Sequence, residues 1–174
     1  MIIEFSGIKP KLGAEVFLAP GVVVLGDIEI GDYSNLWFYT VARADANYIR
    51  IGAQTNIQDH CTLHVTTDRF PLTIGAGVIV GHRAVIHGAT IHDRALIGIG
   101  ALVLDGSVVE EGAIVGAGAV VSPGSVIPAN KVALGIPARP VRDCTEAERE
   151  FHLKNCLKYK EYGRKFSDLT RVID

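Results

Sequence analysis

An aliphatic residue recurs every six positions through most of the chain, and a period of six leaves few architectures open. Leu12, Leu18, Val24, Ile30, Leu36 and Ala42 form a first run, Ile51, Ile57 and Leu63 a second, and Ile74, Val80 and Ile86 a third. Ile91, Ile97, Val103, Val109, Val115, Val121 and Ile127 complete the series, in which only Ala42 lacks a branched side chain. Four residues after each of these the position is usually small or β-branched, as at Val22, Ser34, Thr55, Cys61, Ala84 and Ala101, with Ile28 and Lys131 the poorer fits. Such hexapeptide repetition is the signature of a parallel β-helix. Each unit is a short strand and a turn, three units close one triangular coil, and the aliphatic side chains point inward.

Three departures break the count. Ala42 and Ile51 are nine residues apart, which puts three extra residues near Asn47 to Arg50; Leu63 and Ile74 are eleven apart, which predicts a loop around Asp68 to Pro71. Ile86 and Ile91 are only five apart. Irregular corners of a solenoid are where sites tend to be grafted.

The phase of the repeat organises three histidines. With a coil begun at Ile51, Leu63 and Ile86 both open third-face units, so His64 and His87 stack on successive coils about 4.8 Å apart. Arg43, one residue after Ala42, shares their outward column. His82 lies two residues into a second-face unit, above Asp59 of the preceding coil. One chain therefore holds His82 away from the other two. The three meet if the second face of a neighbouring subunit packs on this third face, and a closed ring of such heterologous contacts repeats the site. Three imidazoles are a zinc-ligand set that leaves a fourth position open.

The segments Arg43-Ala-Asp45, Asn56-Ile-Gln58-Asp59-His-Cys-Thr-Leu-His64 and Gly81-His82-Arg-Ala-Val-Ile-His87-Gly-Ala resemble the γ-class carbonic anhydrases and their ferripyochelin-binding-like relatives. The resemblance runs through nearly the whole chain. It implies an all-β solenoid, specifically a left-handed parallel β-helix with a C-terminal α-helix; the handedness comes from the resemblance alone, since ordinary parallel crossovers are right-handed. It also implies a homotrimer with metal sites shared between subunits, His64, His82 and His87 as ligands, and carbon dioxide and bicarbonate as substrate and product. Zinc is the expected ion, with iron or cobalt also suited to three imidazoles and water. Such an ion lowers the pKa of its water to about 7, carbonic anhydrase being the standard instance of the effect. By the same resemblance Gln58 orients the attacking oxygen, Asn56 shapes the carbon dioxide pocket, and Tyr159 reaches that pocket from the terminal helix. Arg43, Asp45 and Asp59 correspond to an ion-pair network across the interface.

The chain departs from the family pattern where protons are relayed outward. Some members carry a glutamate directly after the Arg-x-Asp element and an acidic loop after the first histidine. Here Ala46 takes the first place and the loop reads Val65-Thr-Thr-Asp68-Arg-Phe-Pro71, leaving Asp68 as its one carboxylate. Hydration requires a proton to leave after every turnover, so slow catalysis on an intact metal site is expected. Two other readings stand beside this one. A hexapeptide-repeat acyltransferase shares the Gly135-Ile-Pro-Ala exit, binds coenzyme A and uses one histidine as a base; a non-catalytic metal-binding trimer needs no shuttle.

The rest of the sequence sets the surroundings. At 174 residues, 48% hydrophobic and net charge −2, the chain can bury a substantial core and has no electrostatic bias toward nucleic acid or an anionic membrane. The uncharged stretch from Gly112 to Asn130 keeps strict hexad phase with four glycines and two prolines, and reads as solenoid rather than membrane span. Three cysteines without a signal-peptide pattern fit a reducing, cytoplasmic setting, with Cys61 in the core and Cys144 and Cys156 near and in the terminal helix. His60, His92 and His152 read as solvated or hydrogen-bonded surface residues. The expected division is a solenoid over 1–140 and a helical segment over 141–174, opened by a Thr145-Glu-Ala-Glu148 capping box. Phe151, Leu157, Tyr162 and Phe166 supply its apolar stripe, and Asn155 and Tyr159 share one helical face.

Overall fold

The hexad residues do set the architecture. In the computed structural model, which describes residues 1–167, they wind a parallel β-solenoid of about seven turns, followed by one helix, α1 (Glu146–Ser167). Residues 168–174, the end of the expected 141–174 segment, lie outside the described residues. Ile51, Ile74, Ile91, Val109 and Ile127 stack on the first face, and Leu36, Ile57, Val80, Ile97 and Val115 on the second. Val24, Ala42, Leu63, Ile86, Val103 and Val121 stack on the third. From Val24 to Ile127 every hexad residue is at most 4% exposed, whereas Leu12 is 37% exposed because the first coil has no complete coil beneath it. Each buried Ile or Leu contributes about 1.5–3 kcal/mol by leaving water.

The small position four residues on has a second job. Buried Ser34 and Thr55 donate their hydroxyls to the carbonyls of Gly52 (2.8 Å) and Gly75 (2.7 Å) in the following coil. Corner polarity is thereby satisfied coil by coil. Between faces the chain turns through a left-handed residue, and His60 (φ 59°) occupies one such corner, exposed and stacked on Tyr39 with ring centroids 5.3 Å apart.

One insertion is placed differently from the count. Val41–Ile51 is a single strand paired with Val23–Ile30, and register runs from Gly26↔Ala44 to Ile28↔Ile49. Asp45 to Tyr48 therefore bulge opposite the lone Asp27, two residues earlier than expected, because Ile49 and Ile51 both have inward places to fill. The second insertion folds as expected around Asp68, closed by a Thr66↔Phe70 bridge.

Helix α1 begins with the predicted box: Thr145 Oγ1 accepts from the Glu148 N–H (3.2 Å) and Glu148 Oε2 accepts from the Thr145 N–H (2.8 Å). The helix crosses the second face with Tyr162 and Phe166 of the expected stripe inward, but not Phe151 and Leu157. Tyr159, Tyr162 and Phe166 pack on the core, while Phe151 and Leu157 are 63% and 61% exposed. Shape selects this edge: Gly163 lets the helix close on Phe17, where an added Cβ would stand 3.3 Å from the Phe17 Cβ. His152 is correspondingly buried rather than at the surface, and its Nε2–H donates to the Gly77 carbonyl (2.8 Å), which also accepts from Cys156 Sγ (3.2 Å). Among the described residues no helix is long and apolar enough to cross a membrane, and 112–130 forms strands and turns of the solenoid.

Burial lowers the His152 pKa from its ordinary value, with Arg94 adding to the effect against the helping bond to Gly77. The folded chain thus binds this proton less readily than the unfolded chain, so stability falls as pH drops below about 6.5. Thermal unfolding of metal-free protein should show a steeper loss between pH 7 and pH 5 for the wild type than for His152→Gln. Equal slopes would place the acid sensitivity elsewhere.

Candidate metal centre

Strand register sets His64 directly beside His87, and Ala42↔Leu63 pairing brings Arg43 into the same column, as the repeat count required. His64 Nδ1 faces His87 Nε2 at 2.9 Å, with ring centroids 4.9 Å apart. The outer nitrogens each meet a carboxylate. His64 Nε2 lies 3.1 Å from Asp45 Oδ1, and His87 Nδ1 lies 2.6 Å from Asp105 Oδ1. Arg43 is ion-paired to the other oxygen of Asp45 and is itself exposed in the single chain. On the second face, Ile57↔Val80 pairing stacks His82 over Asp59, and His82 Nδ1 stands 2.7 Å from Asp59 Oδ2. Asp59 is thus His82's partner within one chain and is not joined to Arg43 there.

Burial alone would raise the Asp45 and Asp105 carboxyls, yet both lie below the ordinary carboxylate value. Hydrogen bonds from His64 and Arg43 outweigh it at Asp45, and those from His87 and Thr66 do so at Asp105. Both are therefore anions that accept from imidazole N–H groups.

This donor set fits a metal. A ligating histidine characteristically gives its second ring nitrogen to a carboxylate, and all three do so here. Two nitrogens on one tetrahedral zinc stand roughly 3.3 Å apart, so the His64–His87 pair needs to open by only a few tenths of an ångström. Among the described residues of the single chain, no three His, Cys, Asp or Glu side chains converge to hold an ion. His82 lies on the other face.

Beside His82 the second face builds a polar wall. Gln58 Oε1 accepts from the His82 backbone N–H (3.1 Å), and Gln58 Nε2 donates to the Tyr159 hydroxyl oxygen (2.8 Å). Burial holds the Tyr159 pKa above its usual value, so the hydroxyl keeps a proton of its own to donate. Asn56 is buried beneath α1, donating to Asn35 Oδ1, which also accepts from Trp37 Nε1 (2.8 Å). Asn56 Oδ1 is itself buried without a hydrogen-bond partner among the described residues. Asn35 Nδ2 in turn faces the Tyr159 carbonyl (3.4 Å), so the asparagine pair underpins the tyrosine. Gln58 and Tyr159 then line an apolar groove with Ile79, Leu96, Ile99 and Phe151.

Sequence reasoning missed Asp105, Thr66 and Asn35. Asn35 carried a signal, since it stands before Leu36 where Asn56 stands before Ile57. Asp68, at a left-handed hairpin tip, lines one cleft with Asp27, Asp45 and Asn47. The Cys61 thiol is pushed up to about 12 by burial and is inert core.

No protein-family model matches the chain. A probable carbonic anhydrase of Methanocaldococcus jannaschii is 51% identical over 85% of this chain and 92% of its own length. The carbonic anhydrase of Geobacillus kaustophilus is 41% identical over 98% of this chain and 93% of its own. Mitochondrial gamma carbonic anhydrase 2 of Arabidopsis thaliana is 44% identical over 87% of this chain and 56% of its own. Among solved structures, the Bacillus cereus BC4754 product, described as a candidate acetyltransferase, superposes with TM-score 0.95 at 39% identity, over 98% of each chain. A hexapeptide transferase family protein of Anaplasma phagocytophilum gives 0.91 at 30% identity, over 95% of this chain and 98% of its own. With its repeat wound as these hexapeptide proteins wind theirs, and with curated relatives matched nearly end to end, the chain belongs to the γ-class carbonic anhydrases, left-handed β-helix proteins.

Proposed function

We propose that this chain is a metal-dependent carbonic anhydrase that interconverts carbon dioxide and bicarbonate at sites shared between subunits of a homotrimer. The observation that carries the reading is the set of three carboxylate-backed histidines divided between two faces of one solenoid. His64 and His87 of one protomer and the partner subunit's His82 would hold the ion, for which zinc suits three neutral imidazoles and iron or cobalt also qualifies. When bound, the ion supplies the Lewis acidity that makes hydroxide available at neutral pH, carbonic anhydrase being the standard instance.

The chain's own residues do the rest. Gln58, fixed between His82 and Tyr159, presents an amide to the pocket and orients the attacking oxygen. Tyr159 offers its hydroxyl proton to an oxygen of bicarbonate, and Asn35, braced by Asn56, holds the helix backbone at Tyr159. Ile99 and Phe151, both exposed in the single chain, give carbon dioxide an apolar approach. Arg43 is accessible enough to pair with the partner subunit's Asp59 as well as with Asp45. Residues 1–140 then form the metal-binding solenoid, and the segment from 141 supplies the helix that completes the pocket.

An acyltransferase with one histidine base leaves the three carboxylate-backed imidazoles unexplained. The test is the carbon dioxide hydration rate of metal-quantified protein, with His87→Ala as control. We expect metal-dependent turnover that disappears in the variant and rises with buffer concentration, because buffer takes the role of the glutamate that Ala46 replaces. Full metal occupancy with no turnover at any buffer concentration would favour the binding role instead.

A further inference from the structure

We infer that Asp105 is a positioning residue for the His87 imidazole and that Thr66 latches Asp105 in place, so that the loop after His64 governs a ligand one coil away. The inference rests on the metal-site reading above, but it makes a claim about metal-free protein as well.

The geometry is specific. Asp105 Oδ1 stands 2.6 Å from His87 Nδ1, and a carboxylate anion can only accept, so Nδ1 carries a hydrogen and Nε2 is the nitrogen turned toward His64. The second oxygen, Oδ2, accepts from Thr66 Oγ1 at 2.9 Å. With both oxygens engaged, the carboxylate is held against rotation as well as against displacement.

Local backbone makes room for this reach. Register pairs Ile86 with Val103, which sets Asp105 beside Gly88 rather than beside His87, so its side chain must pass back over the glycine. Gly88 is left-handed (φ +55°), and an added Cβ there would collide with Asp105 Oδ1 and stand 2.7 Å from the Phe70 Cβ. The five-residue step from Ile86 to Ile91 contains this glycine, so the shortened unit is where the carboxylate enters. The loop grips the same corner from above. Thr66 N–H donates to the Phe70 carbonyl (2.9 Å), Asn47 Nδ2 faces the Thr66 carbonyl (3.3 Å), and the Phe70 ring lies over Gly106.

The experiment compares wild type, Asp105→Asn, Thr66→Val and Asp68→Asn. Imidazole nitrogen shifts of His87 in metal-free protein report the tautomer, and competitive zinc titration reports affinity. Wild-type His87 should keep its Nδ1 fully protonated. Asp105→Asn should mix the tautomers and weaken zinc binding by about 10–100-fold, the usual cost of losing an outer partner of a ligating histidine. Thr66→Val should shift both readouts in the same direction by less, and Asp68→Asn should leave both unchanged. A purely structural role would lower the melting temperature while leaving tautomer and affinity alone, and that result overturns the inference. So does a wild-type His87 whose Nδ1 carries no hydrogen. If wild type binds no zinc, the metal-site reading fails, and the tautomer measurement still decides the positioning claim.

Discussion

Mixing His64→Ala and His82→Ala homotrimers, after dissociation and reassembly, should restore about one quarter of the metal sites that wild type holds. Each variant alone should bind no tightly held ion and lose hydration activity by roughly three orders of magnitude or more, since no group remains to acidify water. The fraction follows from heterologous symmetry, in which a site draws on the third face of one protomer and the second face of the next. A random ring places an intact third face beside an intact second face in about one of four contacts. His82→Ala mixed with His87→Ala should complement equally well. His64→Ala mixed with His87→Ala should not, because those side chains sit 2.9 Å apart on adjacent strands of one chain and no mixture reunites them. Metal content of the reassembled protein is the readout. Recovery in the third mixture, or none in the first two, would remove the shared-interface site.

The design of that mixture was legible in the hexad phase, because an inward aliphatic fixes the outward direction of its neighbour. Leu63 and Ile86 sufficed to put His64 beside His87, and Val80 to put His82 on another face. What a period cannot show is a side chain that leaves its own column. Asp105 is in register with Gly88 and reaches back to His87, and nothing in the spacing points that way. The bulge lies two residues before its counted place for a related reason: counting gives the number of extra residues but not which of them face outward, and burial of Ile49 pushes the excursion to Asp45–Tyr48. In helix α1 the apolar stripe holds at Tyr162 and Phe166 and fails at Phe151 and Leu157, because close fit at Gly163 and the Gly77 carbonyl favours the edge carrying His152 and Cys156. Handedness came only from kinship, since inward aliphatics at every sixth position are blind to it.

Ile86→Ala should lower the melting temperature of metal-free protein by about 5–15 °C. Ile86 is fully buried on the third face, between Leu63 and Val103 of the adjoining coils, and its backbone continues directly into His87. Removing its outer carbons leaves a void that regular stacking cannot collapse into, because each coil is hydrogen-bonded to the coils on both sides. Such truncations cost about 2–5 kcal/mol, and a domain of this size shifts by about 2–4 °C per kcal/mol. Leu12→Ala is the comparison. Leu12 occupies the same place in the repeat but is 37% exposed on the first coil, so its loss should cost under about 1 kcal/mol and leave the melting point within a few degrees. The difference between the two separates burial from repeat position as the source of stability, for a solenoid loses little by fraying at its end and much by a break in its middle. Equal shifts for both variants would mean that the first coil carries as much of the cooperative core as the coil beneath the metal ligands. Zinc affinity should follow the same order, falling for Ile86→Ala, where the strand that carries His87 loosens, and holding for Leu12→Ala.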